Sequence, residues 1–244
     1  MDAKTKEALD LAIGKTTSNP SAQRRSEFKG TMVELLDMLR YLGQHATPNF
    51  TLDGDNIYTY TNALRWIAAL DGMRSLNASG DEVNGDITRG LLITGGTGTG
   101  KSLLIRLLRT LSTAIHTQHL VYDPVAQREV WTDFLWADRH AIEYVSEYNT
   151  NGYISNINAA VVCIQDLGAE PKEGSFYGKK QNVIEQLISY RYDKQDGTRR
   201  TTIITTNLSL EDIRKEYGER ISSRLIEECN ILQLLGSDRR IKRI

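Results

Sequence analysis

The stretch Gly95-Gly96-Thr97-Gly98-Thr99-Gly100-Lys101-Ser102 constrains this chain more than any other. It lies between an apolar run, Leu91-Leu92-Ile93-Thr94, and the helix-like Ser102-Leu103-Leu104-Ile105-Arg106-Leu107-Leu108. Glycines at alternating positions let the backbone curl tightly at that junction. A curled backbone aims several N–H groups at one point, and the helix N-terminus that follows adds partial positive charge, so the segment is built to cradle a phosphate. The spacing is a full GxxxxGKS match in the strand-to-helix context its mechanism needs. Lys101 is expected to reach the β and γ phosphates of a nucleotide, and the Ser102 hydroxyl to take one position on Mg2+.

From Gly90 onward short apolar runs alternate with helical periods, which predicts an α/β fold with a parallel five-stranded sheet flanked by helices. Strands are expected at Leu91–Thr94, Phe134–Trp136, Ala160–Ile164, Thr202–Thr205 and Ile231–Leu235. The helices between them are expected at Lys101–Ile115, Ala137–Tyr148, Lys179–Tyr192 and Leu210–Leu225. Residues 119 to 133 read as a hairpin or an irregular excursion. Residues 1–86 read as a mainly helical N-terminal region, with helical periods at 3–13, 32–42 and 62–76 and turn formers at 48–61. The polar run Asn77 to Asp86 is the expected boundary, leaving 87–244 as the nucleotide-binding domain. Met32, Leu35, Leu36, Leu39 and Leu42 form one apolar stripe, which serves either a partner or the chain's own core.

Composition narrows the partners. With 30 basic and 31 acidic side chains among 244 residues the net charge is -1, so no bulk field draws the chain to nucleic acid or membrane. A nucleic-acid contact must therefore be local. The C-terminal Arg239, Arg240, Lys242 and Arg243 are the visible basic cluster, readable as a solvated tail or as a phosphate contact. Two cysteines give no disulfide framework, no run is long and apolar enough to span a bilayer, and the start of the chain has no secretory signal. A cytoplasmic protein is the expectation.

A phosphate loop of this kind works with a second strand that presents carboxylate to the metal and to the attacking water. The run Ala160-Val161-Val162-Cys163-Ile164-Gln165-Asp166-Leu167-Gly168 fits, with Asp166 as the acid. Hydrolytic proteins of this class usually carry two successive acids there, and Gln165 holds the first place. A neutral amide binds a hard cation less well than carboxylate and cannot act as a base. Either Asp166 serves beside a weakened metal site, or hydrolysis is slow and the chain works as a nucleotide-gated binder. Glu170 reads as an exposed loop acid before it reads as a source of the missing charge. Asn207, after the run Thr202–Thr205, either holds a water and reports the γ phosphate or caps the next helix, a task Ser209 suits better. Arg220 and Arg224, four apart, share one helix face.

Taken in order, GGTGTGKS at Gly95–Ser102, QDLGAE at Gln165–Glu170, TTIITTNLS at Thr201–Ser209 and YGERISSRL at Tyr217–Leu225 resemble the AAA+ ATPases. The resemblance is closer to the DnaC/IstB-like group of helicase loaders and transposition ATPases. It covers about Gly90 to Arg240, with weaker support in Phe50 to Leu70. It implies a P-loop fold of AAA+ type with little or no C-terminal lid, and a helicase loader in DNA replication that binds ATP with Mg2+ and hydrolyses it. The implied partners are a replicative helicase, single-stranded DNA and further copies of the chain, with no membrane; the alternatives are a transposition ATPase on duplex DNA or a weakly hydrolysing ATP-gated switch. By the same resemblance Lys101, Asp166, Asn207 and Arg224 are catalytic. Asn207 falls on the sensor 1 position, and Arg224 on the arginine inserted into a neighbouring subunit's site. Gly95, Gly96, Thr97, Gly98, Thr99, Gly100, Lys101, Ser102, Leu103 and Arg239 contact nucleotide, and Ser102 with Asp166 serves the metal. Asp238 stands where the group's C-terminal signature commonly has an aromatic.

Overall fold

The computed structural model describes residues 25–123, 125–193 and 200–239, so the helical period expected at 3–13 lies outside the described residues. A six-stranded sheet carries the fold. Helix α1 (Met32–Ala46) and helix α2 (Ile57–Ile67) lead into strands β1 (Arg74–Leu76) and β2 (Glu82–Asn84). The unit around the glycine loop follows as β3 (Gly90–Gly95) and α3 (Lys101–Ala114), and then a separate hairpin, β4 (Gln118–Asp123) and β5 (Arg128–Asp133). Helix α4 (Ala141–Asn151), β6 (Val161–Leu167), a second hairpin of β7 (Gly174–Phe176) and β8 (Lys179–Gln181), and α5 (Val183–Asp193) come next. Strand β9 (Thr201–Thr206), α6 (Leu210–Glu228) and β10 (Cys229–Leu234) complete the order.

The sheet runs β2-β1-β10-β3-β9-β6, with β10, β3, β9 and β6 parallel and β1 and β2 added antiparallel at one edge. The expected α/β architecture is therefore present, with the strand count corrected from five to six. Both faces are covered because the strands are apolar throughout and alternate their side chains. Leu91, Ile93, Ile203 and Leu232 pack on one face with Leu35, Trp66, Leu104 and Leu108 of α1, α2 and α3. Leu92, Ile164, Ile204 and Ile231 point the other way, against Tyr144, Leu187, Ile213 and Ile221 of α4, α5 and α6. Each fully buried Leu or Ile in these layers contributes about 1.5–3 kcal/mol of transfer free energy.

Several local expectations change, each for a physical reason. Phe134–Trp136 forms no strand. The Phe134 N–H donates to Thr117 O at 2.8 Å, and its carbonyl accepts from Ser112 Oγ at 2.6 Å, so this backbone is tied to the end of α3 instead of a ladder. The chain bridges β6 further on, at His140 opposite Gln165, where the Arg139 carbonyl accepts from the Gln165 N–H at 2.8 Å. The polar run Asn77 to Asp86 is the turn and second strand of a hairpin, since the Asn77 side chain accepts from the N–H groups of Ser79 and Asp81 and closes it. Residues 25–86 thus share core and sheet with the rest of the described chain. The apolar stripe of α1 is spent inside: Leu35 and Leu39 are buried, while Val33 and Tyr41 face solvent. Helix α5 begins at Val183 rather than Lys179, because Asn182 Oδ1 accepts from Glu185 N–H and Lys179–Gln181 pair in β8. Within the stretch read as a hairpin or an irregular excursion, Gln118–Asp123 and Arg128–Asp133 pair as the β4–β5 hairpin. Helix α6 is interrupted at Gly218 (φ 82°, ψ 167°), outside helical geometry.

Candidate functional site

Because β3, β6 and β9 run parallel and side by side, their carboxyl ends deliver three segments to one place. Those segments are the glycine loop after β3, Asp166 near the end of β6 and Asn207 just beyond β9. The loop bends through left-handed conformations at Gly98 (φ 77°) and Gly100 (φ 103°), which L side chains rarely adopt. Thr99 is buried, and its hydroxyl donates to the Gly96 carbonyl at 2.9 Å, pinning the curl.

Lys101 opens α3 and is 5 % exposed. Its ammonium donates to Gly95 O at 2.7 Å, to Gly96 O at 2.8 Å and to Asn207 Oδ1 at 2.6 Å. The alternative role of Asn207 as a helix cap is thereby settled, since Ser209 caps α6 by accepting from Asp212 N–H at 3.1 Å. Asn207 is instead a hydrogen-bond partner of the glycine loop's lysine.

A cavity of about 680 Å³ opens over this loop. Thr97, Gly98, Gly100, Lys101, Ser102, Leu103, Asp166, Asn207 and Arg239 line it, nine of the positions expected to bind or act on nucleotide. Gly95, Gly96 and Thr99 shape the loop beneath. Its opposite wall comes from residues that the sequence pattern did not single out, among them Phe50, Asp53, Asn56 and Tyr60. Their signal was weak because residues 48–61 read as turn formers, whereas α2 starts at Ile57 with Tyr60 and Ala63 in the core.

Strand β6 carries a bulge between Ile164 and Leu167, and Asp166 takes a left-handed conformation (φ 54°). Aspartate tolerates that region better than most residues, and the turn aims its carboxylate into the cavity. Oδ2 of Asp166 lies 2.9 Å from Nδ1 of His140, the N-cap residue of α4, a contact the sequence did not signal. Gln165 behaves otherwise. It is 2 % exposed, and its Oε1 is buried with no hydrogen-bond partner among the described residues. A buried orphan acceptor of this kind costs about 1–3 kcal/mol. Glu170 is committed locally, accepting from Gly168 N–H and from the Tyr217 hydroxyl.

Arg239 follows β10 and reaches back across the cavity mouth. Its two Nη atoms donate to Asp53 at 2.8 and 2.9 Å, and this pair holds the guanidinium above its ordinary pKa. Arg224 is placed elsewhere. It does not line the cavity; its Nη2 donates to Asp193 Oδ1 at 2.8 Å and its guanidinium lies 4.5 Å from the centre of the Tyr192 ring.

No protein-family model and no curated protein matches the chain. Solved structures similar to it include one titled "Crystal Structure of the DnaI", 17% identical, with a TM-score of 0.49 over 83% of this chain and 92% of that one. AMPPCP-bound DnaA from Aquifex aeolicus is similar at 14% identity and a TM-score of 0.46, over 80% of this chain and 51% of that one. The DnaC helicase loader is similar at 22% identity and a TM-score of 0.38, over 60% and 78% of the respective chains.

Proposed function

We propose that this chain is an ATP-binding and ATP-hydrolysing protein of AAA+ type, of the DnaC/IstB-like group, acting in the cytoplasm as a helicase loader in DNA replication. The observation that carries the nucleotide reading is Lys101 held between two loop carbonyls and Asn207 at the floor of a cavity that Asp166 also lines. A preorganised ammonium and a curl of N–H donors bind the phosphates, Asn207 reports the γ phosphate through Lys101, and Asp166 holds the attacking water. Ser102 and Asp166 line the same cavity and offer the oxygen donors a Mg2+ needs; that ion supplies charge neutralisation to the phosphates. Arg224, outside its own cavity, is the residue assigned to a neighbouring copy's site, where a guanidinium stabilises charge on the transferring phosphate.

Single-stranded DNA is supported by the β7–β8 hairpin. Tyr177 (φ 46°) and Gly178 (φ 80°) form its tip, and Tyr177 is 95% exposed, its ring edge-on to Phe176. Lys179 and Lys180, both exposed, follow at once. An exposed ring beside two cations is what a stacked base and its phosphate require, and it meets the demand for a local contact on a chain of net charge -1. A second reading, a weakly hydrolysing ATP-gated switch that recruits the helicase, is favoured by Gln165, which is buried and absent from the cavity wall.

The test is ATP turnover with and without single-stranded DNA, with the molecular mass measured in each nucleotide state. It is run for the wild type, Arg224→Ala, and Tyr177→Ala combined with Lys179→Ala and Lys180→Ala. The loader reading expects DNA to stimulate turnover, the triple variant to lose that stimulation and Arg224→Ala to bind ATP without turning it over. ATP binding with no turnover in any state of assembly selects the switch instead. Stimulation by duplex DNA alone removes the loader reading.

A further inference from the structure

The segment after β10 is tied down at Gly236, Asp238 and Arg239, and the last of these lines the cavity. Gly236 packs against the side chain of Asp55, which lies 2.7 Å from where a Cβ would stand, and the Asp238 carboxylate packs against Gly98 of the phosphate loop. Arg239 donates its backbone N–H to the Gly98 carbonyl at 3.1 Å and both Nη atoms to Asp53. The N-terminal wall and the C-terminal segment are thereby tied together over the glycine loop.

Charge makes this closure conditional. A guanidinium fork that grips a carboxylate end-on has the same geometry with which it grips a phosphate, so Asp53 and a nucleotide compete for the same donors of Arg239. A bound triphosphate also brings its charge close to Asp53, Asp55 and Asp238, which raises the cost of leaving the strap in place. The pair is partly exposed, with side-chain accessibilities of 29% and 43%, so it is weak enough to exchange. Resting on the nucleotide reading above, we propose that the Asp53–Arg239 pair is a latch that holds Leu235–Arg239 against the N-terminal wall beside the cavity, and that ATP opens it by taking Arg239 from Asp53. The strap's tie to the N-terminal wall is then broken only when nucleotide is present.

The test uses the full chain with Mg2+ and ATP. Calorimetric binding is compared for wild type, Asp53→Asn and Lys101→Ala, and hydrogen exchange across 235–239 is followed with and without ATP. Asn at position 53 keeps the acceptor that the Asp55 N–H uses. Asp53→Asn is expected to bind ATP about two- to fivefold tighter, the size of one such exposed pair. ATP is expected to speed exchange in the strap of the wild type, and in Asp53→Asn the strap exchanges fast without it. Arg239→Gln, which breaks the pair from the other side, shows the same fast exchange. Weaker or unchanged binding in Asp53→Asn, or a strap that ATP protects, overturns the latch while Lys101-dependent binding leaves the nucleotide reading standing. If neither wild type nor Asp53→Asn binds ATP, the nucleotide reading falls and the latch falls with it.

Discussion

Nδ1 of His140 lies 2.9 Å from Oδ2 of Asp166, joining the start of α4 to the one carboxylate that β6 presents to the cavity. One oxygen of the carboxylate is thus fixed. An acid that must orient a nucleophile gains from such a fixed partner. His140→Ala is expected to lower kcat about tenfold, the scale on which orienting partners act, while the KM for ATP stays within about twofold. His140→Asn, which can still hydrogen bond, should recover part of the loss. Equal losses in both variants would mean that a hydrogen bond from position 140 to Asp166 is not what sets the rate.

Gln165→Asp tests the missing acid. If the glutamine limits the chemistry, turnover rises sharply, and it does so only with Mg2+. The same change places a carboxylate in a position that is 2 % exposed, so the thermal midpoint should fall without nucleotide. Turnover unchanged across a range of Mg2+ would clear Gln165 of responsibility.

Helix α1 separates packing from contact cleanly. Leu39→Ala removes a fully buried side chain and is expected to cost about 2–5 kcal/mol in denaturant unfolding. Tyr41, 64% exposed two residues on, should change stability by less than about 0.5 kcal/mol when replaced by Ala. Leu35→Asp with Leu39→Asp is expected to unfold the chain outright, so any partner on this helix must use the Val33 and Tyr41 face.

Acid sensitivity has a definite source in His119. Burial above all, and then the nearby Arg25 charge, push its pKa down to about 4, and its ring meets the edge of Phe134 at 5.0 Å. The unfolded chain takes up a proton near the ordinary histidine value while the folded chain does not, so stability falls as pH drops from about 6.5 towards 4. The loss is on the order of 3 kcal/mol at its full extent. His119→Gln should flatten that part of an unfolding-versus-pH curve; an unchanged slope would place the effect elsewhere.

Much of this was legible in the residues because the informative signals are local. The glycine loop needs only eight consecutive residues and a strand and helix beside it, and the apolar runs at Val161 and Thr201 are long enough to be buried on both faces. What escaped depends on contacts far apart in sequence. Phe134–Trp136 has the composition of a strand, but its backbone partners lie in the Ser112–Thr117 segment, so its place beside β6 was lost to another element. Asp53 and Arg239 are 186 positions apart, and neither residue alone announces a pair. His140 met Asp166 only because the chain bridges β6 at Gln165, a register that periodicity does not encode.

The most direct measurement is calorimetric titration of the purified chain with ATP and Mg2+, set beside Lys101→Ala with its folding checked by circular dichroism. Saturable binding to the wild type, lost in a folded Lys101→Ala, is the expected result, because that ammonium joins the glycine loop to Asn207. A folded wild type that binds no nucleotide, or a Lys101→Ala variant that binds it as tightly, would contradict the assignment of this cavity as a nucleotide site.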